Sequence, residues 1–370
     1  METGLHKYFG ELIDPRMDRT KKHPLLNIII IAICGVICGA ENWVAIERFA
    51  RSKEAWFCTF LDLSEGIPSH DTFNRVFSLL DSQAFGRQFM AWANSLSATI
   101  KTVIALDGKA LRATKDEVNG LGCFYLVNAW CSANGLALGQ IKVDSKSNEI
   151  TAIPGLLELL ELEGTVVTMD AMGCQKKIAA HIIEKKADYV LSLKGNHGNL
   201  HDDIRLYMQS IENKTLKKQW DYHRTIDGEH GRIETRECWV SNDLSWLEEA
   251  SNWAGLSSVA MLKSTREICD EVSVEYRYYI CSLTQGNAEQ CARFIRQHWG
   301  VENGLHWCLD VAFNEDRSRS KIGHCAENIG MLNKIALNLL KKETSAKVGI
   351  KTKRLMAGWD HEYLLKILAA

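Results

Sequence analysis

The sequence predicts a mixed α/β protein with a helical front, and three observations carry that reading. Residues 1 to about 95 read as helical. From residue 102 onward, short β-branched runs alternate with amphipathic stretches. Two of those runs, TVIALDGKALR and TVVTMDAMG, meet an aspartate at their ends. At 370 residues the chain can hold two domains, or one large domain with an insertion.

The front is justified first. LLNIIIIAICGVICGA (25–40) falls short of the roughly 20 apolar residues that a membrane span needs and contains Asn27. It runs into ENWVAIERFA, so it reads as a buried core helix continuing to Arg51. Ser69-His70-Asp71-Thr72-Phe73 opens a second helix, with a short polar residue capping FNRVFSLLD. A small helical unit ahead of a mixed domain suggests a DNA-binding or oligomerisation module; the plain alternative is packing against the next domain.

The strands follow. TVIALDGKALR (102–112) is one; GCFYLVNAWCSANG (122–135) and LALGQIKVD (136–144) are two more, joined by a tight turn at Ala133-Asn134-Gly135. NEITAIPGLLELLELEG (148–164) is a helix ended by Gly164, TVVTMDAMG (165–173) a buried strand, CQKKIAAHIIEKK (174–186) a helix, and ADYVLSLKGNH (187–197) a strand. Three strands, then helix, strand, helix, strand match a ribonuclease H-like core better than a doubly wound sheet, which would alternate strictly. A short helix near 199–212 and strand-like pieces at 232–241, 257–267 and 274–283 read as a β-rich insertion over 201–284. A long helix follows at 287–313. The expected layout is a helical domain at 1–95, a core at 96–200 and 285–345, the insertion, and a tail at 346–370.

Bulk charge is uninformative. The net charge of −2 gives no hint of a polyanion partner. Locally, ten Lys/Arg against three Asp/Glu lie between Asp316 and Arg354, and Arg16, Arg19, Lys21, Lys22 and His23 form a second basic run. Each alone reads as a solvated face. The twelve cysteines are scattered without a CxxC pair, which suits a reduced cytoplasmic protein.

Asp107 and Asp170 stand at strand ends, where an isolated buried carboxylate is expensive unless paired or bound to metal. Oxygen ligands suit hard cations such as Mg²⁺. Ile295, His298, Glu302, Leu305 and Leu309 fall on one helical stripe, and Glu302 is its acid. In a ribonuclease H-like fold the last helix crosses the sheet near the first and fourth strands, so the three acids could converge. Two ions about 4 Å apart would then serve an in-line phosphoryl displacement. Each acid has a simpler reading: Asp107 as a turn residue before Gly108, Asp170 as a cap for the next helix, Glu302 as an exposed helical side chain.

Four separated motifs carry a family resemblance: DGKALR at Asp107, TMDAMGCQ at Asp170, DGEHGRIETRE (227–237), and RQHWGVENGLHWCLDVAFNED (296–316). In that order they resemble the ISAs group of insertion-sequence transposases, and most closely the H-repeat-associated proteins linked to Rhs elements. The resemblance covers nearly the whole chain. It implies a DDE transposase: ribonuclease H-like fold, Mg²⁺ or Mn²⁺, and cleavage and transfer of double-stranded DNA at element ends and target. Asp107, Asp170 and Glu302 become the catalytic, metal-holding triad, and the protein is expected to act as a homodimer. The broader superfamily has Tyr, Arg and Lys where this chain has Ile295, His298 and Leu309, which leaves Arg296 as a candidate phosphate contact. Because H-repeat proteins are often regarded as remnants, a DNA-binding but inactive protein is the alternative; a nuclease that only cleaves is another.

Other residues divide between two readings. Lys109, Arg112 and Lys194 lie at the same strand ends and could clamp DNA phosphates, or pair with nearby carboxylates. Arg232 and Arg236 share a strand face with Glu234 and could touch element-end DNA, or form a solvated face. His298 is counted with the candidate DNA contacts. The His298-Glu302-His306 stripe could suggest zinc, but two His eight apart without an HExxH pattern read as packing. Trp253 and Trp299 read as core.

Overall fold

The computed structural model describes residues 4–96, 103–115, 122–143, 149–212, 220–229, 231–269 and 271–369. Thr102, Asp144, Asn148 and His230, which belong to segments quoted above, lie outside them. The front consists of α1 (Gly4–Phe9), α2 (Leu25–Ile37), α3 (Trp43–Ser52), α4 (Glu54–Phe57), α5 (His70–Leu79) and α6 (Ser82–Ser95). α2 is the buried helix expected from its apolar run: every residue except Leu26 is buried. Its one polar side chain, Asn27, donates to the Asp62 carbonyl at 2.7 Å, which removes the cost of burying it. No helix among the described residues is long and apolar enough to cross a membrane.

The expected continuous helix from 25 to Arg51 is two helices. α2 stops because Gly39 takes φ +98°, a left-handed conformation that glycine adopts without a Cβ penalty. Asn42 then starts α3, its side chain accepting the Ala45 N–H at 2.9 Å. At α5, Ser69 caps as its sequence suggests, accepting from Thr72 N–H at 3.3 Å.

Strands and helices then run β1 (Val103–Leu111), β2 (Phe124–Cys131), β3 (Leu136–Val143), α7 (Glu149–Leu159), β4 (Val166–Met169), α8 (Lys176–Glu184), β5 (Asp188–Leu193) and α9 (Asn199–Glu212). Four long strands come next: β6 (Asp221–Glu229), β7 (Arg232–Ser241), β8 (Ser258–Ile268) and β9 (Glu271–Cys281). The chain closes with α10 (Ala288–His298), α11 (Trp307–Phe313), α12 (Cys325–Lys342), α13 (Ile350–Trp359) and α14 (His361–Leu368). One nine-stranded mixed sheet has the order β3-β2-β1-β4-β5-β9-β8-β7-β6. β1, β4 and β5 are parallel, and β2–β3 is an antiparallel hairpin. This is the predicted ribonuclease H-like order.

The chain divides into two compact units. One holds residues 1–99, 108–148 and 302–370. Its centre is α12, buried along most of its length and packed on α2, α5, α6 and β3. The other holds residues 100–107 and 149–301. In it, Cys238, Val240, Ala260, Leu262, Tyr279 and Cys281 on the strands pack against Ala288, Cys291 and Ile295 of α10. The strand-like pieces expected as an insertion are β7, β8 and β9, and they extend the sheet beyond β5.

Candidate active site

The parallel pairing of β1 with β4 sets Leu106 opposite Met169, so Asp107 and Asp170 take the next position on neighbouring strands. β1 continues past its aspartate, whereas β4 ends before Asp170. The Asp170 carboxylate accepts the N–H groups of Met172 at 3.0 Å and Gly173 at 3.4 Å, so it also closes its own turn. That turn requires glycine: a Cβ on Gly173 would lie 2.6 Å from Met169 Sδ.

The predicted long helix at 287–313 is interrupted. α10 ends at His298, and a π turn, Glu302–His306, leads into α11. Such one-turn insertions occur frequently at functional sites. The extra residue breaks the predicted single stripe. Ile295, Leu305 and Leu309 are buried, but the Glu302 side chain is 54% exposed. Gly304 lets this turn pass close to β2, since a Cβ there would lie 2.6 Å from the Trp130 ring.

His306, weighed in the sequence as one end of a zinc-like stripe and read there as packing, is buried beside Glu302. Its Nδ1 is 3.6 Å from Glu302 Oε2, and its Nε2 is 3.3 Å from the amide nitrogen of the buried Asn128 on β2. Asn128 also donates to the Leu126 carbonyl at 3.2 Å. With Asn128 donating, Nε2 accepts and the Nδ1 proton faces Glu302. Glu302 and His306 are the first and last residues of the π turn, and Asp107 lies part-buried on β1. The sequence signal for His306 is the His298-Glu302-His306 stripe, of which the π turn keeps only the Glu302–His306 half together.

The predicted cations fall into three settings. Lys109 is 6% exposed, and its ammonium donates to Asp310 at 2.6 Å and Asp316 at 3.0 Å, with Glu315 at 3.5 Å. Burial alone would lower its pKa, but the carboxylates of Glu315, Asp310 and Asp316 outweigh that and raise it. Arg112 stays 83% exposed, 3.7 Å from Asp316.

Lys194 and His298 line a cavity of about 250 Å³ together with Asp170, Tyr276, Arg277 and Trp299. His298 Nδ1 lies 3.0 Å from the Thr168 hydroxyl. Trp299, expected in the core, is 37% exposed beneath the Arg277 guanidinium at 4.5 Å, whereas Trp253 is buried as expected.

Arg232, Arg236 and Arg296 line a third region, a cavity of about 640 Å³ shared with Arg293. Arg236 bonds Asp227 and, at 2.6 Å, Glu234; Arg232 reaches Glu234 at 3.7 Å. The expected shared strand face is present, and Glu234 is its centre.

Known proteins resemble the chain along its length. The family described as "Transposase DDE domain" matches residues 98–339, and "DDE_Tnp_1-associated" matches residues 6–93. "Putative transposase YncI" of Escherichia coli O157:H7 is 40% identical, covering 98% of this chain and 94% of its own length. "H repeat-associated putative transposase YhhI" of Escherichia coli (strain K12) is 37% identical, covering 99% and 97%. A protein of Xanthobacter autotrophicus is 44% identical over 75% of this chain and 94% of its own. With the fold and the strand-end aspartates in place, these matches establish that the chain belongs to the DDE-domain transposase family.

Proposed function

We propose that the protein cuts and joins double-stranded DNA at the ends of an insertion element, with Asp107, Asp170 and Glu302 holding divalent metal. The observation that carries this reading is the shared position of Asp107 and Asp170, one residue beyond the paired Leu106 and Met169. Two carboxylates there, with a third on Glu302, suit a hard cation such as Mg²⁺ or Mn²⁺. When bound, such an ion supplies Lewis acidity for in-line attack of a hydroxyl on phosphorus. His306 orients the Glu302 carboxylate. Asp170 must leave one of its turn hydrogen bonds, or use its second oxygen, to serve as a ligand.

Lys194 and His298, beside Asp170, are suited to the phosphates nearest the reacting bond. Arg232, Arg236 and Arg296 are suited to phosphates farther along the duplex, which position DNA without reading its sequence. Pairing two element ends calls for a homodimer, by analogy with the family. The twelve free thiols fit a reduced, cytoplasmic setting.

The test is nicking of a labelled duplex carrying the DNA that flanks the gene, with Mg²⁺ or Mn²⁺. The wild type is compared with Asp107→Ala, Asp170→Ala and Glu302→Ala. Cleavage that all three changes abolish, with binding retained, supports the assignment. Cleavage that survives Asp107→Ala overturns it. Wild-type binding without cleavage supports the inactive remnant instead.

A further inference from the structure

We propose that Lys109 is a positioning residue that fastens the strand segment just beyond Asp107 to α11, the helix that continues from Glu302 and His306. The inference rests on the reading of Asp107 and Glu302 as metal ligands. It gives Lys109 a task other than clamping DNA phosphate.

An ammonium group has three N–H donors. At Lys109, two are bonded to Asp310 and Asp316 and the third side faces Glu315. A lysine serving a DNA surface keeps its head hydrated at the end of a flexible stem. This one is 6% exposed and surrounded by acids. The three acids come from one short stretch. Asp310 lies on α11, one turn beyond His306. Glu315 and Asp316 lie in the turn that follows, entered through Asn314 in a left-handed conformation at φ +52°.

The cluster is anchored from behind. Glu315 is buried, 3.9 Å from the Nζ of Lys334 on α12, and accepts from Asn333 at 3.4 Å. Lys334 is fully buried and donates to the Gly330 carbonyl at 3.4 Å. Glu315 therefore bridges two buried lysines, and the end of α11 is held to the central helix of its unit. Lys109 adds β1 to that assembly. Because Gly108 alone separates Lys109 from Asp107, fixing Lys109 restricts where the Asp107 carboxylate can lie.

The experiment measures Mn²⁺ binding to the full chain by the electron paramagnetic resonance signal of free Mn²⁺, without relying on turnover. Duplex binding across a salt series and circular dichroism run alongside. Outer-shell partners of metal ligands typically contribute 10–100-fold to affinity. Lys109→Met is expected to weaken Mn²⁺ binding at least tenfold, with duplex affinity within twofold and the salt slope unchanged. Asp310→Asn, which removes one half-exposed partner and spares the fold, is expected to weaken Mn²⁺ binding severalfold.

Folded Lys109→Met and Asp310→Asn proteins with wild-type Mn²⁺ affinity would overturn the positioning role. A salt slope lower by about one would overturn it in favour of a phosphate contact. A wild type that binds no Mn²⁺, like Asp107→Asn, would instead overturn the metal reading, and this inference with it.

Discussion

Two charge clusters in different units of the chain have opposite designs. Around Lys109, three carboxylates converge on one buried ammonium group. Around Glu234, three guanidinium groups converge on one buried carboxylate: Arg236 at 2.6 Å, Arg266 at 3.6 Å and Arg232 at 3.7 Å. The first cluster is rich in acid and closed. The second is rich in arginine and partly open, with Arg232 47% and Arg266 49% exposed. A single carboxylate cannot occupy every donor of three guanidinium groups, so donors remain to meet phosphate. A cation near a candidate active site is therefore not automatically a DNA contact. Burial and the local excess of charge decide which role it takes.

The comparison is most easily broken at Lys109. Lys109→Met leaves the buried Glu315 facing the partly exposed Asp310 and Asp316 without their shared cation, and breaking a buried pair costs up to about 3–5 kcal/mol, less the share that water at Asp310 and Asp316 screens. Urea unfolding should show that loss as a lower midpoint with an unchanged slope. Arg232→Met removes a half-exposed partner and should cost under about 1 kcal/mol. Equal losses at the two sites would erase the distinction.

Lys334 sharpens the closed side through pH. Burial, opposed by Glu315, lowers its pKa from 10.5 to about 8. Below pH 8 both folded and unfolded chains hold the proton, and the cost of burying the charge is fully present. Between pH 8 and 10.5 the folded chain has released the proton and the unfolded chain keeps it, so stability rises with pH by up to about 3 kcal/mol. Lys334→Met should abolish that rise. The measurement is the difference between the two proteins' urea midpoints at pH 7.5 and pH 10. A wild-type rise that the variant retains would show that another group is responsible.

On the open side, the expected effect is on DNA binding rather than stability. Each lost phosphate contact lowers the salt slope by about 0.9. Arg232→Gln with Arg266→Gln should therefore reduce the slope by nearly two and weaken binding to unrelated duplexes equally, whereas Arg236, 11% exposed and held by Asp227 and Glu234, should add little. Selective weakening on one sequence would mean that these arginines read bases.

The legible parts of the fold are those with local causes. β-branched runs marked β1 and β4, a short apolar run marked β5, Ser69 marked the start of α5, and Asn134-Gly135 marked the β2–β3 turn. The two aspartates were legible because each closes such a run. β6 was not. Its residues DYHRTIDGE form an edge strand, exposed along nearly its whole length, and lack the apolar alternation that signals a half-buried strand. The π turn was hidden for another reason. Helical spacing predicts a stripe only while the turn keeps its period, and one inserted residue moved Glu302 off it. The partners of Lys109 were out of reach altogether: Asp310 lies 201 residues away in sequence.

Arg112 gives the smallest and finest test. It is close to Lys109 in sequence and shares Asp316 with it, yet it is 83% exposed and only 3.7 Å from that carboxylate. An exposed pair of this kind contributes little, so Arg112→Ala should change stability by less than about 0.5 kcal/mol. If exposure decides the role, the same change should lower the salt slope of duplex binding by about one. Lys109→Met, three positions earlier, should leave the slope alone. A flat salt response from Arg112→Ala would limit the DNA-facing cations to Lys194 and the arginines around Glu234. A lowered slope would place the boundary between internal lock and DNA surface between Lys109 and Arg112, within a single strand end.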